Sequence, residues 1–567
     1  MNSMLLAVPV LLPLIGGGAI LILGREREER DSYIRLELLV EGLVLLNSLI
    51  IAWLIFGWHD GEKKFVLFKL YGDLKVMFKL DSMGSVFAGL IAFLWPLATL
   101  YSFEYMRHET RRSSFFAFYY MTYGVTVGIA FAGSLLTMYL FYEMLTLVTF
   151  PLVLFPMTKE AMRASRTYLY YSIGGAAFAF IGLVFVLNYS LTGNTDFVPG
   201  GVLDLAAAGR QRGTLLFVYV LAFFGFGVKA AVFPCHGWLP KATVAPTPVT
   251  ALLHAVAVVK SGAFAILRFT YFSFGTEFLR GSTAQWVVMA TAMVTIVFGS
   301  TMAVREVHWK RRLAYSTISN LSYILLGASM MSPLGLAAAL SHMVFHAFMK
   351  ICSFFCAGAV MHQTGKTYVY ELDGLGKKMP VTFGCLTAAS LSLMGIPLFA
   401  GFISKWNITE AAFSCASQLS GLSFGWLPYA GVAVILYSAL MTGIYMLTVL
   451  IRAYFPQISA GPGGMSGSEI SGSGIPGSVM SGSGIPGSGI SGSKISGIGM
   501  SESKISGNGI PGSRISGLEN EKDTRKITDP NWMMLVPLVI FAAAVLVLGL
   551  KSGPVMAYLK MIGGEAG

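Results

Sequence analysis

Eight titratable side chains stand inside runs of residues that are otherwise apolar: Glu143, Lys229, His254, Lys260, His342, His346, Lys350 and Lys405. Imidazole titrates near pH ~6.5, and removing a lysine from water disfavours its charged form, so a file of such groups can exchange protons near neutrality. A charge at the centre of a bilayer costs roughly 2.5–3.5 kcal/mol, so one found there ordinarily faces a partner or a watery cavity and marks a functional position. The chemistry to which these residue types point is proton or ion exchange, and none of them is assigned a catalytic, bond-making role.

Lys229 lies in GFGVKAAVFPCHGWLP (Gly225 to Pro240), where Pro234 removes a backbone donor and breaks the helix just after the lysine. The same Gly-Phe-x-x-Lys recurs at Gly401 to Lys405, and Pro397 breaks that helix too. Broken helices at matching positions of two halves point to a transporter's ion site, because the freed carbonyls and half-helix ends can solvate a charge. Glu143, in MYLFYEMLTLVTFP, is the deepest acid and the natural partner for a membrane lysine; the plainer alternative is a carboxylate merely hydrogen-bonded in the core. His342, His346 and Lys350 follow one another at i, i+4 on one helix face, a ladder of about 12 Å. A lone histidine on an apolar face, such as His254, is usually a core residue, but a run at helical spacing is harder to read that way.

The elements that position these groups follow from composition. Of the 567 residues, 55% are hydrophobic and 12% charged, against about 25% charged in soluble domains, and the mean hydropathy is +0.68. The chain reads as an all-α polytopic membrane protein. A spanning helix needs about 20 apolar residues, which divides the sequence into about 14 transmembrane helices. The first, Met4 to Leu23, lacks a basic leader and a small-residue cleavage site, so it is expected to remain as a helix.

The net charge of +12 sits in short loops, which argues for membrane orientation and against nucleic acid. Basic clusters at Arg25–Arg30, Arg107–Arg112, Lys159–Arg166, Arg305–Arg312 and Lys366–Lys378 alternate with loops poor in Lys and Arg. Those clusters are expected on the cytoplasmic side of the cell (inner) membrane, with both termini outside. Lys63 to Lys79 departs from the alternation, but its apolar/polar period of two predicts a small external hairpin. After the loops are subtracted, four of the 40 basic residues lie well inside apolar segments: Lys229, Lys260, Lys350 and Lys405. The five cysteines show no metal-ligand spacing and read as packing, so no metal and no cofactor is expected.

The boundaries are 1–114 for helices 1–3 with the hairpin, 115–271 for helices 4–8, 284–454 for helices 9–13, 455–531 for a Gly/Ser-rich linker, and 532–567 for helix 14 with a short tail. Ser459 to Gly517 repeats SGSGIPGS at Ser471 and Ser481, a composition unable to bury enough apolar surface to order itself. It reads as a flexible cytoplasmic linker.

KAAVFPCHGWLPKATVAPTPVTALLHAVAVVKSGAFAILRF (Lys229 to Phe269), RRLAYSTISNLSYILLG (Arg311 to Gly327), the His342/His346/Lys350 helix and GIPLFAGFISKW (Gly395 to Trp406) together resemble one family over about residues 80 to 455. It is the antiporter-like subunits shared by respiratory complex I, group 4 membrane-bound hydrogenases and Mrp-type sodium/proton antiporters. The resemblance implies two inverted five-helix repeats with interrupted helices 7 and 12. It further implies a switchable Glu143–Lys229 pair, a central axis through Lys260 or His254, and Lys405 as terminal site. It implies a proton-translocating subunit of a complex I-like or hydrogenase-type pump, or alternatively of an Mrp-type antiporter; a scaffold that has lost transport would be expected to have a broken titratable file. The partners implied are other membrane subunits, further antiporter-like ones among them, in the lipid bilayer, with a peripheral hydrogenase or ferredoxin/NADH-oxidising module. No flavin, nickel, haem, quinone or iron–sulfur signature is present in the sequence, so redox chemistry is expected in other subunits. The Gly/Ser insertion and a tail too short for the long lateral helix of the distal complex I subunit depart from the family pattern. Deleting Ser459 to Gly517 should leave ion transport by the assembled complex nearly unchanged, checked by vesicle transport assay.

Overall fold

The computed structural model describes residues 3–23, 30–58, 63–72, 74–191, 193–455 and 527–566; the expected linker Ser459 to Gly517 falls outside them. The N-terminal part holds α1 (Val8–Leu23), α2 (Arg30–Phe56), a hairpin of β1 (Lys64–Tyr71) and β2 (Leu74–Lys79), and α3 (Ser82–Tyr105). Next come α4 (Arg112–Ala130), α5 (Leu135–Leu154), α6 (Lys159–Tyr189), the short α7 (Leu205–Arg210), α8 (Arg212–Gly227), the single turn α9 (Trp238–Lys241), α10 (Thr247–Ala255), α11 (Val258–Arg268) and α12 (Thr276–Leu279). A second group follows: α13 (Thr283–Arg305), α14 (Trp309–Ser329), α15 (Pro333–Thr364), the short α16 (Leu375–Lys378), α17 (Pro380–Met394), α18 (Ala400–Gln418) and α19 (Leu427–Tyr454). Finally α20 (Trp532–Leu550) and α21 (Gly553–Ala566) close the described chain. Among the described residues ten helical stretches are long and apolar enough to cross a membrane. α8 and α17 are apolar but shorter.

Local sequence sets the helix starts. Side chains of Asp81, Ser134, Thr158, Ser282 and Ser332 accept from the backbone N–H three residues on, at 2.8, 3.2, 3.1, 3.4 and 3.1 Å, satisfying donors that lipid would leave bare. α15, buried over most of its length, runs through the centre of the bundle and touches α14, α17, α18, α20 and α21. α6 and α8 approach closely at paired glycines: a Cβ on Gly225 would come within 2.5 Å of the Ala179 nitrogen. The expected hairpin is present, pairing Lys64 with Lys79 and Lys69 with Lys75. It is tied to the α4–α5 turn by Lys79 N to Phe131 O at 2.7 Å and Gly133 N to Met77 O at 3.0 Å.

Both expected breaks occur, with informative boundaries. α8 stops at Gly227, and Pro234 lies in the middle of an irregular segment that lasts to Gly237. Lys229 is thus inside the gap, not on the helix before it. α17 stops at Met394, where Gly395 adopts a left-handed φ of 88°; Pro397 lies in the gap, and Lys405 stands on α18 beyond it. The first Gly-Phe-x-x-Lys motif therefore runs into its break and the second follows its break, so the repeated words are not equivalent positions. A third interruption was not anticipated: the eighth span divides between Ala255 and Val258, with the N–H groups of both Val256 and Ala257 turned on the Leu252 carbonyl. It separates His254 from Lys260.

The count of basic residues inside apolar segments also needs correction. Arg268, at the end of α11, is fully buried. It donates from two nitrogens to the two carboxylate oxygens of Asp81, each at 2.6 Å, and lies among the rings of Phe197, Phe264 and Phe272. Two parallel charge-assisted bonds satisfy the guanidinium fork. This fixes the start of α3 to the end of α11. Asp81→Ala, which strands a buried guanidinium, should cost about 3 kcal/mol of stability, read as a lowered thermal unfolding midpoint in detergent.

Candidate functional site

Lys229 is fully buried in the irregular segment after α8. Its ammonium donates to the main-chain carbonyl of Tyr142 and stands 3.3 Å from the centroid of the Tyr142 ring. Glu143 Oε1 is 3.5 Å away, an ion pair in which the lysine is wholly enclosed while 29% of the carboxylate side chain remains accessible. The break releases carbonyls that the surroundings take up: Tyr142 Oη donates to Phe226 O at 3.0 Å, and Trp238 Nε1 to Val228 O at 2.8 Å. The pair expected from sequence is therefore assembled by α5 and the gap after α8.

Beyond it lies a line of contacts across α11, α15 and α18. Lys260 Nζ meets His346 Nδ1, and the rings of His346 and His342 face each other at 5.6 Å with 13° between their planes. His342 Nδ1 bonds to the Ser404 hydroxyl at 2.9 Å. The neighbouring Lys405 donates to Leu393 O at 2.7 Å and Met394 O at 3.0 Å, the last carbonyls of α17. A cation there faces the negative end of a half-helix. The Tyr323 ring lies between the ends of this line, 5.2 Å from the His342 ring and 5.6 Å from Lys405 Nζ.

The ladder on α15 therefore divides among three neighbours instead of forming one continuous strip. His342 turns to α18 and His346 to α11. Lys350 turns to α14, donating to Leu313 O at 3.0 Å and Ser316 Oγ at 2.7 Å, and Ser316 in turn reaches Tyr445 Oη at 2.6 Å. His254 packs against the Phe354 ring at 4.7 Å and neither ring nitrogen has a hydrogen-bond partner among the described residues. Lys260, Lys350 and Lys405 form no ion pair among those residues, so Glu143 is the one carboxylate that meets any of the four lysines.

Sequence reasoning missed Tyr142, Ser316, Tyr323, Ser404 and Tyr445. Ser404 and Tyr142 adjoin residues already singled out, and Ser316 and Tyr323 lie within the Arg311 to Gly327 stretch, so position was an available signal; Tyr445 carried none. Cys352 and Cys356 donate to the carbonyls of Cys385 and Thr382, at 3.7 and 3.3 Å.

A family described as NADH:quinone oxidoreductase/Mrp antiporter, transmembrane, matches residues 132–427, and the N-terminal region of complex I chain 5 matches residues 71–116. The chain belongs to this antiporter-like family of membrane subunits. NADH-quinone oxidoreductase subunit N of Desulforudis audaxviator is 32% identical over 378 residues, 66% of this chain and 72% of that one. A component of a probable K(+)/H(+) antiporter of Rhizobium meliloti is 33% identical over 59% of this chain, which spans 32% of that longer protein. A chain of the membrane-bound sulfane sulfur reductase, an archaeal respiratory membrane complex, shares the fold with a TM-score of 0.75 at 21% identity, covering 100% of this chain and 98% of that one.

Gly395 is required where α17 ends, since a Cβ there would lie 3.1 Å from Lys405 Cδ and 3.3 Å from its Nζ on a left-handed backbone. Gly395→Ala should cost about 1–2 kcal/mol in backbone strain and push the ammonium off its carbonyls. Transport should fall while the protein still reaches the membrane, checked by immunoblot beside a vesicle transport assay.

Proposed function

We propose that the chain is a proton-translocating, antiporter-like subunit of a multisubunit, redox-driven pump of the complex I or membrane-bound hydrogenase type. The observation that carries this reading is the buried Glu143–Lys229 pair together with the line of contacts from Lys260 through His346 and His342 to Ser404, the neighbour of Lys405. With Glu143 beside it, Lys229 keeps its proton. When the carboxylate turns toward the surface it already partly reaches, the ammonium loses its counter-charge and gives the proton up toward Lys260. Separating such a pair changes proton affinity by about 1–3 pH units, roughly 1.4–4 kcal/mol, sufficient to drive a transfer. Lys260 Nζ passes a proton to His346 Nδ1, His346 to His342, and Lys405 releases it; His254 and Lys350 stand beside the line as a side branch.

In this reading residues 115–271 and 284–454 are two repeats of opposite orientation in the cell membrane, both termini lie outside, and the Gly/Ser linker is cytoplasmic. Other membrane subunits, further antiporter-like ones among them, adjoin the chain, and a peripheral hydrogenase or ferredoxin/NADH-oxidising module supplies the electrons. A gradient-driven Mrp-type antiporter is the second reading, favoured by the likeness to the Rhizobium antiporter component.

Proton uptake into inverted vesicles tests the proposal. Lys229→Ala and Glu143→Ala should each lower uptake at least tenfold in assembled complexes; near-normal pumping by either would sink the central role of the pair. Lys405→Ala should be inactive, whereas Lys405→Glu, still titratable, should keep a measurable part. Uptake driven by an electron donor supports the redox reading, and uptake driven by a sodium or potassium gradient alone supports the second.

A further inference from the structure

At the end of the bundle that carries the hairpin, two cavities of opposite character adjoin. The first is a groove of about 420 Å³ between α2, α3 and α20, walled by Leu45, Leu49, Ala52, Phe93, Leu97 and Ile540. From Leu45 to Phe56 the groove follows α2 for about 16 Å, which is half of the approximately 30 Å hydrocarbon thickness and so the depth of one leaflet. The second is a pocket of about 380 Å³ lined by Lys63, Lys64, Lys79, Ser82, Ser85 and Tyr558. Ile55 lines both, so the pocket stands over the mouth of the groove.

The pocket carries uncompensated positive charge among the described residues. Its one carboxylate, Asp81, is committed to Arg268 through both oxygens at 2.6 Å and to Gly84 N at 2.8 Å. Lys64 lies 3.8 Å from Asp196, but that acid is held closer by Lys75, at 2.9 Å. Lys63 donates to the Leu54 carbonyl at 3.0 Å, a neutral acceptor, and Lys79 makes no ion pair among the described residues. Three lysines thus line the pocket at the end of a leaflet-deep apolar trough.

We infer that this two-part site holds one anionic phospholipid, with acyl chain along the groove and phosphate among Lys63, Lys64 and Lys79. Phosphate attracts the lysines as point charges, while the trough gives the chain a surface that a free phosphate could not use. Such a lipid seals the junction between the hairpin and the N-terminal helices.

The test uses the full chain in nanodiscs of equal phosphatidylglycerol and phosphatidylcholine, followed by detergent extraction and mass-spectrometric counting of phospholipid retained per chain. The native protein should retain phosphatidylglycerol in preference to phosphatidylcholine. The triple variant Lys63→Gln, Lys64→Gln, Lys79→Gln should bind it roughly a hundredfold more weakly, and Lys79→Gln alone, the milder change, about fivefold. Ala52→Trp, which fills the groove and leaves the charge intact, should lose it as well. Equal retention of the two lipids by the native protein, or native-level retention in these variants, overturns the proposal. So does loss on lysine substitution with full retention in Ala52→Trp, which would mark a site for an anion or an acidic protein segment without a chain.

Discussion

A bilayer interior supplies no hydrogen bonds, so each carbonyl that a helix break releases must find a donor within the protein. The candidate site is built from that requirement. At the end of α17 the Lys405 ammonium meets two freed carbonyls, and after α8 the Trp238 indole and the Tyr142 hydroxyl meet two others. At the α17 break the group able to change its charge, Lys405, is also the one that satisfies the freed carbonyls, so there one side chain serves stability and chemistry.

The buried cations divide into two kinds on this account. Arg268 is locked to Asp81 by two parallel hydrogen bonds and enclosed by three aromatic rings. An arginine keeps its charge at any physiological pH, so it can serve as a permanent fastening. The lysines of the axis are held by carbonyls, a hydroxyl, an imidazole and one loosely placed carboxylate. A neutral acceptor can keep its place whether or not the amine is charged, which suits groups that must change state without unfolding their surroundings.

The features legible in the sequence were those that violate a local rule. Lys229, Lys260, Lys350 and Lys405 announce themselves because a charge in an apolar run is costly, and Pro234 and Pro397 because a proline interrupts a helix. Arg268 escaped notice because it falls near the end of its run and its partner is 187 residues away. The interruption between Ala255 and Val258 has neither proline nor glycine at its centre, so no local rule exposes it; tertiary packing makes it. The boundaries of the two proline-containing gaps were displaced for a related reason. α17 ends at the left-handed Gly395, two residues before its proline, whereas α8 ends at Gly227, several residues before its proline, with Val228 still right-handed.

Because Lys229 lies within its gap and Lys405 on the helix beyond its own, the two lysines are anchored in mechanically different ways. Lys229 grips α5, a separate helix, through the Tyr142 carbonyl, whereas Lys405 grips the stump of its own broken helix. Discharging the first loosens a joint between neighbours; discharging the second unclasps a hinge within one element. Under the proposed proton transfer, the first site would serve as a coupling between neighbouring helices, and the second as a valve whose opening stays local.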